Sequence, residues 1–230
     1  MTTAINHWAA YQKRWEFKGT AEEAVTFSGS NGGYESRMQY DFMLAQGLLP
    51  EHHFLDLGCG ALRGTIRFVD YLRNGNFYGA DISIGLLKEA IIECGRLKLR
   101  NTPILQLMES FDLTSLFDVK FDFILCNSVT VHIEPDDIQE LCFSIANVLE
   151  KTGKAYISIH PLDEKATEPY KWDGYRWWYK RSWIIQESRK GGLDLFDIPG
   201  LFNARLPGQR RPVIPLVNTN MTEWMMAGTI

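Results

Sequence analysis

From Phe54 to Ile159 the chain alternates short apolar runs with longer stretches whose apolar positions recur every three or four residues. The runs FLDL (54–57), NFYGA (76–80), ILQLM (104–108), FDFILCN (121–127) and AYISI (155–159) predict strands, being short and rich in β-branched or aromatic residues. The spacing between them predicts helices. One runs from about Leu62 to Leu72, with Ile66, Val69 and Leu72 on one face. Another starts at Ser83, a good N-cap, and turns Leu87, Ile91, Cys94 and Leu97 inward. A third opens at Pro135, buries Ile138, Leu141, Cys142, Ile145 and Leu149, and closes at Gly153. Strands separated by helical crossovers imply a parallel sheet covered on both faces, and the nearly unbroken apolar run FDFILCN suits a central strand of it.

After His160 the rhythm stops. HPLDEKATEPYKWDGYRWW reads as an aromatic loop, SWIIQESRKGG as a helix with Ser182 as its cap, and GLDLFDI and RPVIPLV as a closing antiparallel pair. Such a pair belongs at a sheet edge, where Pro212 and Pro215 do least harm. Before the first strand, Ile5–Glu16 and Tyr34–Gln46 predict two helices around the polar link TFSGSNGG. The expected fold is α/β: a Rossmann-like, doubly wound seven-stranded sheet, mostly parallel with an antiparallel C-terminal hairpin. Residues 1–50 form a helical cap and residues 51–230 the core of a single domain. The stretch NTNMTEWMMAGTI fits no pattern.

Composition narrows the function. A chain of 230 residues, 45% hydrophobic and 23% charged, has the size and balance of one globular domain. No apolar window approaches the roughly 18 residues of a membrane span. The start, MTTAINHWAAYQKRW, lacks the basic flank and long apolar stretch of a secretory signal, so a cytoplasmic protein is expected. Cys59, Cys94, Cys126 and Cys142 stand singly inside apolar segments, which suits reduced, buried thiols and signals no metal site. A net charge of -4 offers no basic face for a phosphate backbone, so nucleic acid is not an expected partner.

The chemistry concentrates in HFLDLGCGALRGT, residues 53–65. A glycine-rich turn between strand and helix admits a ligand close to the backbone, where the helix start offers free N–H groups. Arg63 occupies the position at which a GxGxxG dinucleotide fingerprint has its third glycine. Asp56, two residues before Gly58, would repel a pyrophosphate but suits an ammonium or a water-bridged zwitterion. Asp81, like Asp56, falls at the carboxyl end of a predicted strand, where open α/β sheets bind ligands.

LDLGCG, followed by YGADIS, FDFILCNSV and YISIH, resembles the class I S-adenosylmethionine-dependent methyltransferase family over roughly residues 54–160. The resemblance implies that Asp56, Gly58, Cys59 and Gly60 line the methionine part of the cofactor, with Arg63 in the same loop. It implies that Asp81 binds the ribose and that Ile82 lies on the adenine face. Glu109, Ser110 and Phe111 match the adenine-contacting position, with Glu-Ser where the family more often has Asp. Asn127, Ser128 and Val129 match the wall of the methylation site. The implied cofactor is S-adenosyl-L-methionine, the product S-adenosyl-L-homocysteine, and no metal is implied.

Further candidates lie around this set. His132 is either a general base or a histidine that fixes its loop, and His160 poses the same choice. Tyr34 and Arg37 could close over the cofactor carboxylate or the substrate, or merely pack. Trp172 and Tyr175, within a cluster that includes Tyr170, Trp177, Trp178 and Trp183, could wall a substrate pocket or serve as core. The expected activity is methyl transfer to an oxygen, nitrogen or carbon of a small organic molecule, in natural-product tailoring. The stretch NSVT stands where amide- and exocyclic-nitrogen methylases carry an NPPY-like tetrapeptide. The expected partner is a small molecule, with no membrane and a monomer or homodimer. The alternatives are a protein methyltransferase, a non-catalytic cofactor binder and a nicotinamide-dependent oxidoreductase.

Overall fold

The structure is a computed structural model that describes residues 8–19, 23, 34–197 and 223–229. Five parallel strands form the centre of the main sheet: β1 (Phe54–Leu57), β2 (Phe77–Asp81), β3 (Ile104–Leu107), β4 (Phe121–Cys126) and β5 (Leu149–Ile159). Their order is β3-β2-β1-β4-β5. Alternation along each strand divides the core into two layers. Leu55, Ile124 and Ile157 face one side of the sheet, and Phe54, Phe123 and Tyr156 the other. Because β1 pairs with β2 on one flank and β4 on the other, the chain reverses its winding there, and a crevice opens beyond the strand tips.

Beyond β5 the sheet continues with two antiparallel strands, β9 (Leu193–Asp197) at the edge and β10 (Glu223–Thr229) between it and β5. This corrects the expected hairpin: the partner of GLDLFDI is EWMMAGT, from the stretch that fitted no pattern, while RPVIPLV lies outside the described residues. A strand hydrogen-bonded on both sides needs its backbone N–H groups, which a segment with two prolines cannot supply.

The aromatic segment after His160 is not a loop. Its strands β6 (Pro161–Leu162), β7 (Tyr170–Trp172) and β8 (Trp177–Lys180) form a separate sheet in the order β6-β8-β7. Trp172 and Trp177 stand opposite each other with ring centroids 5.3 Å apart, a cross-strand pair that steadies a short hairpin. The turn between these strands is built on Asp173, which accepts the N–H groups of Tyr175 and Arg176.

Six helices are described in full: α1 (Trp8–Trp15), α2 (Tyr34–Ala45), α3 (Ile66–Tyr71), α4 (Ile84–Arg96), α5 (Ile138–Val148) and α6 (Arg181–Lys190). Ser83 caps α4 by accepting the Leu86 N–H, as its sequence predicts. The buried stripe of α4 is Leu86, Leu87, Ala90 and Cys94, whereas Ile91 and Leu97, expected inward, are exposed. Gly153 does not close α5 but lies within β5, where a Cβ would stand 2.8 Å from the Phe121 carbonyl oxygen. Ser182 is likewise no cap, because it sits inside α6 and gives both its N–H and its hydroxyl to Glu164. No described helix is long and apolar enough to cross a membrane.

α1 crosses the sheet's open end and is held at its middle and just past its C-terminal end. The Tyr11 hydroxyl donates to Asp137 Oδ2 at 2.5 Å and accepts the Glu134 N–H at 2.8 Å. Past the helix, Phe17 N–H donates to Ser83 Oγ at 2.9 Å and Glu16 Oε1 accepts the Gly85 N–H at 3.1 Å. A side chain at residue 85 would collide with the Phe17 carbonyl, so glycine is what lets this strap seat on the start of α4. Gly85→Ala is therefore expected to lower stability by about 1–3 kcal/mol in urea unfolding. It should also speed tryptic cleavage after Arg14 and Lys18, and unchanged cleavage would show that the strap is not held there.

Candidate active site

The tip of β1 turns sharply into α3. Gly58 and Gly60 take φ values of +76° and +52°, a region that glycine enters without the cost a side chain brings. At Gly58 a Cβ would also run into the side chain of Val129, so only a glycine lets the turn pack against the loop after β4. Gly58 and Cys59 N–H both donate to the Ala80 carbonyl, at 2.8 and 3.1 Å, binding the turn to β2.

Two acids stand beside this turn. Asp81 ends β2; its Oδ2 accepts Gly60 N–H and its Oδ1 accepts Ser83 N–H, each at 2.8 Å. Each oxygen then keeps a lone-pair site for a further donor. Asp56, within β1, accepts the Thr65 hydroxyl on Oδ2. Both carboxyls are buried. Desolvation pushes Asp56 up to about 7, with the Thr65 hydrogen bond opposing it and the Asp81 charge adding to it. Desolvation also pushes Asp81 up to about 6, against its bonds from Ser83 and Gly60, with Glu16 on the strap adding repulsion. Cys59 between them is driven far above the usual thiol range, by burial first and then by both acids, so it holds its proton and serves as packing.

The opposite wall follows β4. Ser128 adopts φ +60°, uncommon for a residue with a side chain, and its N–H is held by Ser158 Oγ at 2.6 Å. The Thr130 hydroxyl bonds the Ser158 carbonyl, so the loop is tied to β5 at two points. His132 follows, half-buried, with Trp15 of α1 packed against it at 4.0 Å between ring centroids. Burial, then the guanidinium charges of Arg176 and Arg14, then His160, push its value down to about 3, so it is neutral at pH 7.

These elements enclose a cavity of about 310 Å³. Of the residues expected to hold a cofactor, Asp56, Gly58, Cys59, Gly60 and Arg63 line it along the glycine turn. Asp81 and Ile82 line it from β2, Phe111 from beyond β3, and Asn127, Ser128 and Val129 from beyond β4. His132 and Tyr175 also line it. Glu109 and Ser110 do not: both are exposed, and Ser110 Oγ accepts the Asp112 N–H, so after β3 the wall is made by Met108 and Phe111 instead. His160 is outside as well, buried with its ring against Trp178, its carbonyl accepting the Tyr179 N–H. Trp172 does not reach the lining, and exposed Arg37 pairs with Asp41 at 3.7 Å while Gln39 of the same helix points in. The Tyr34 side chain lies outside what is described.

The wall contains residues that the sequence reading passed over. Trp8, Tyr11 and Trp15 form a stripe at i, i+3 and i+7 of α1, a spacing visible in WAAYQKRW. Arg176 enters from the small sheet, which the loop reading had hidden.

Residues 54–153 match the family model described as a methyltransferase domain. The solved magnesium protoporphyrin IX methyltransferase from Synechocystis PCC 6803, with bound SAM, aligns over 100% of both chains at 14% identity and a TM-score of 0.63. An S-adenosylmethionine-dependent methyltransferase from Clostridium acetobutylicum ATCC 824 aligns over 97% of this chain and 99% of its own, at 16% identity and 0.61. The glycopeptide N-methyltransferase MtfA aligns over 93% of this chain and 100% of its own, at 14% and 0.59. Strand order and glycine turn lie within the segment that matches the methyltransferase domain model, and these solved methyltransferases share the chain's fold.

The buried acids make stability depend on pH. Both bind a proton more tightly when folded than the ordinary value of 3.8 allows, so their contribution is lost as pH rises from about 4 through 6 and 7. Asp56→Asn should flatten that decline between pH 5 and pH 8, measured as urea midpoints of the ligand-free protein; parallel curves for variant and wild type would remove Asp56 as its source.

Proposed function

We propose that the protein transfers a methyl group from S-adenosylmethionine to an oxygen, nitrogen or carbon of a small organic molecule. The observation that carries this reading is the pair of buried carboxylates, Asp56 and Asp81, set beside the bare turn Gly58–Gly60. Without a ligand, two desolvated acids face each other's charge; a ligand bringing hydroxyl donors and positive charge relieves both. The cofactor fits that demand at each end. Asp81 would hold the ribose hydroxyls on its free lone pairs, Ile82, Met108 and Phe111 would enclose the base, and the glycine turn with Arg63 would receive the amino-acid part.

When bound, S-adenosylmethionine supplies a sulfonium-activated methyl group to a nucleophile. The chain's own residues then align, enclose and exclude water. His132 is a weak base at its depressed value, which leaves proximity and desolvation as the main contributions. A site of 310 Å³, at the small end of the roughly 300–1,000 Å³ range of small-molecule pockets, and roofed by α1, favours a small acceptor over a protein chain. We take that acceptor to be a metabolite of the natural-product kind, methylated in the cytoplasm, where four buried thiols stay reduced.

Calorimetry with S-adenosylhomocysteine tests the reading. Asp81→Ala should weaken binding by about 1.5–3 kcal/mol, the worth of charge-assisted bonds to the ribose, and unchanged affinity would take Asp81 out of the site. His132→Ala should leave that affinity near wild type; a comparable loss would place the imidazole against the cofactor instead.

A further inference from the structure

The acceptor end of the cavity is flat-walled and positively charged. Trp15, His132 and Tyr175 stand around it with ring centroids 4.0 Å, 6.0 Å and 5.9 Å apart in pairs. Arg176 lines the same space, half-buried, and its guanidinium forms no ion pair within 4.0 Å among the described residues. Its side chain rests over the Tyr175 ring at 5.1 Å. The nearby acid, Asp173, is already committed: Oδ1 accepts the Tyr175 and Arg176 N–H groups, and Oδ2 accepts Trp178 Nε1–H.

A second guanidinium, on exposed Arg14 outside the cavity lining, adds positive charge nearby. Arg14 of α1 lies over Trp172 at 4.6 Å and Trp15 at 5.2 Å, donates to the Tyr175 carbonyl at 3.1 Å, and has no carboxylate within ion-pair distance among the described residues. The acids Asp56 and Asp81 belong to the glycine turn, and Asp137, on the loop after His132, is taken by the Tyr11 hydroxyl. Half-buried Arg176 has Asp173 nearby but no ion pair with it, and its planar fork matches the oxygens of a carboxylate or phosphate.

We propose that the acceptor is a small organic anion with a flat apolar body, its carboxylate or phosphate group held by Arg176 and its body laid against the cluster of Trp15, His132 and Tyr175. This rests on the methyl-transfer reading and adds to it the class of molecule methylated. It also makes Arg176 a specificity residue for the acceptor, distinct from Arg63 on the cofactor's side.

The test titrates protein saturated with S-adenosylhomocysteine against matched pairs: benzoate and benzamide, indoleacetate and indoleacetamide, phenyl phosphate and phenol. At least one anion should bind about tenfold tighter than its neutral partner, the discrimination expected of a bidentate charged contact. Carboxylate or phosphate selectivity will tell the two headgroups apart. Arg176→Gln should erase the preference, Arg176→Lys restore part of it, and both should keep wild-type affinity for S-adenosylhomocysteine, which also proves them folded. The proposal is overturned if no anion is preferred, whether both partners bind alike or neither binds, if the preference survives Arg176→Gln, or if that variant loses the homocysteine nucleoside as well. Failure of the wild type to bind S-adenosylhomocysteine at all would instead sink the methyl-transfer reading.

Discussion

Two carboxylates withdrawn from water at neighbouring strand tips are the constraint on which this site rests. Burial alone would protonate them, and hydrogen bonds from Thr65 to Asp56 and from Ser83, Gly60 and Ile82 to Asp81 hold them toward ionisation. Those same bonds fix the shape of the cradle: Asp81 ties the glycine turn of β1 to the start of α4 through one side chain. Position follows from topology, because winding reverses between β1 and β4, and no crossover helix covers the tips there.

What covers them is the N-terminal segment. α1 is short and would not persist alone in water, so its helicity depends on docking. Tyr11 anchors it to the loop after β4, and the Glu16–Phe17 strap anchors it to α4. The roof therefore joins the two sides of the crevice. Asp56, Asp81 and Arg63 line the cavity around the glycine turn, and Arg176 with a neutral His132 lines its aromatic end.

Ser83, Asp56, Asp81 and the glycines were legible because their roles are local: a cap, a strand tip and a positive φ depend on a few neighbours. Glu109 and Ser110 misled, since family position pointed to them while the turn after β3 carries them outward and brings Phe111 in. His160 misled for a related reason; a strand end says where a residue falls, not which side of the sheet its ring takes. The aromatic segment was read as a loop because its strands are only two to four residues long and pair within their own small sheet.

The sequence by itself determined the parallel strands, their helices and the acid-and-glycine signature, since periodicity and turn chemistry act over a few residues. Tertiary structure alone decided that EWMMAGT rather than RPVIPLV completes the sheet beside β5, that WAAYQKRW roofs the cavity, and that Arg176 enters it. Each of these is a contact between segments far apart in the chain, settled by which backbone groups still need partners and which apolar faces still need cover.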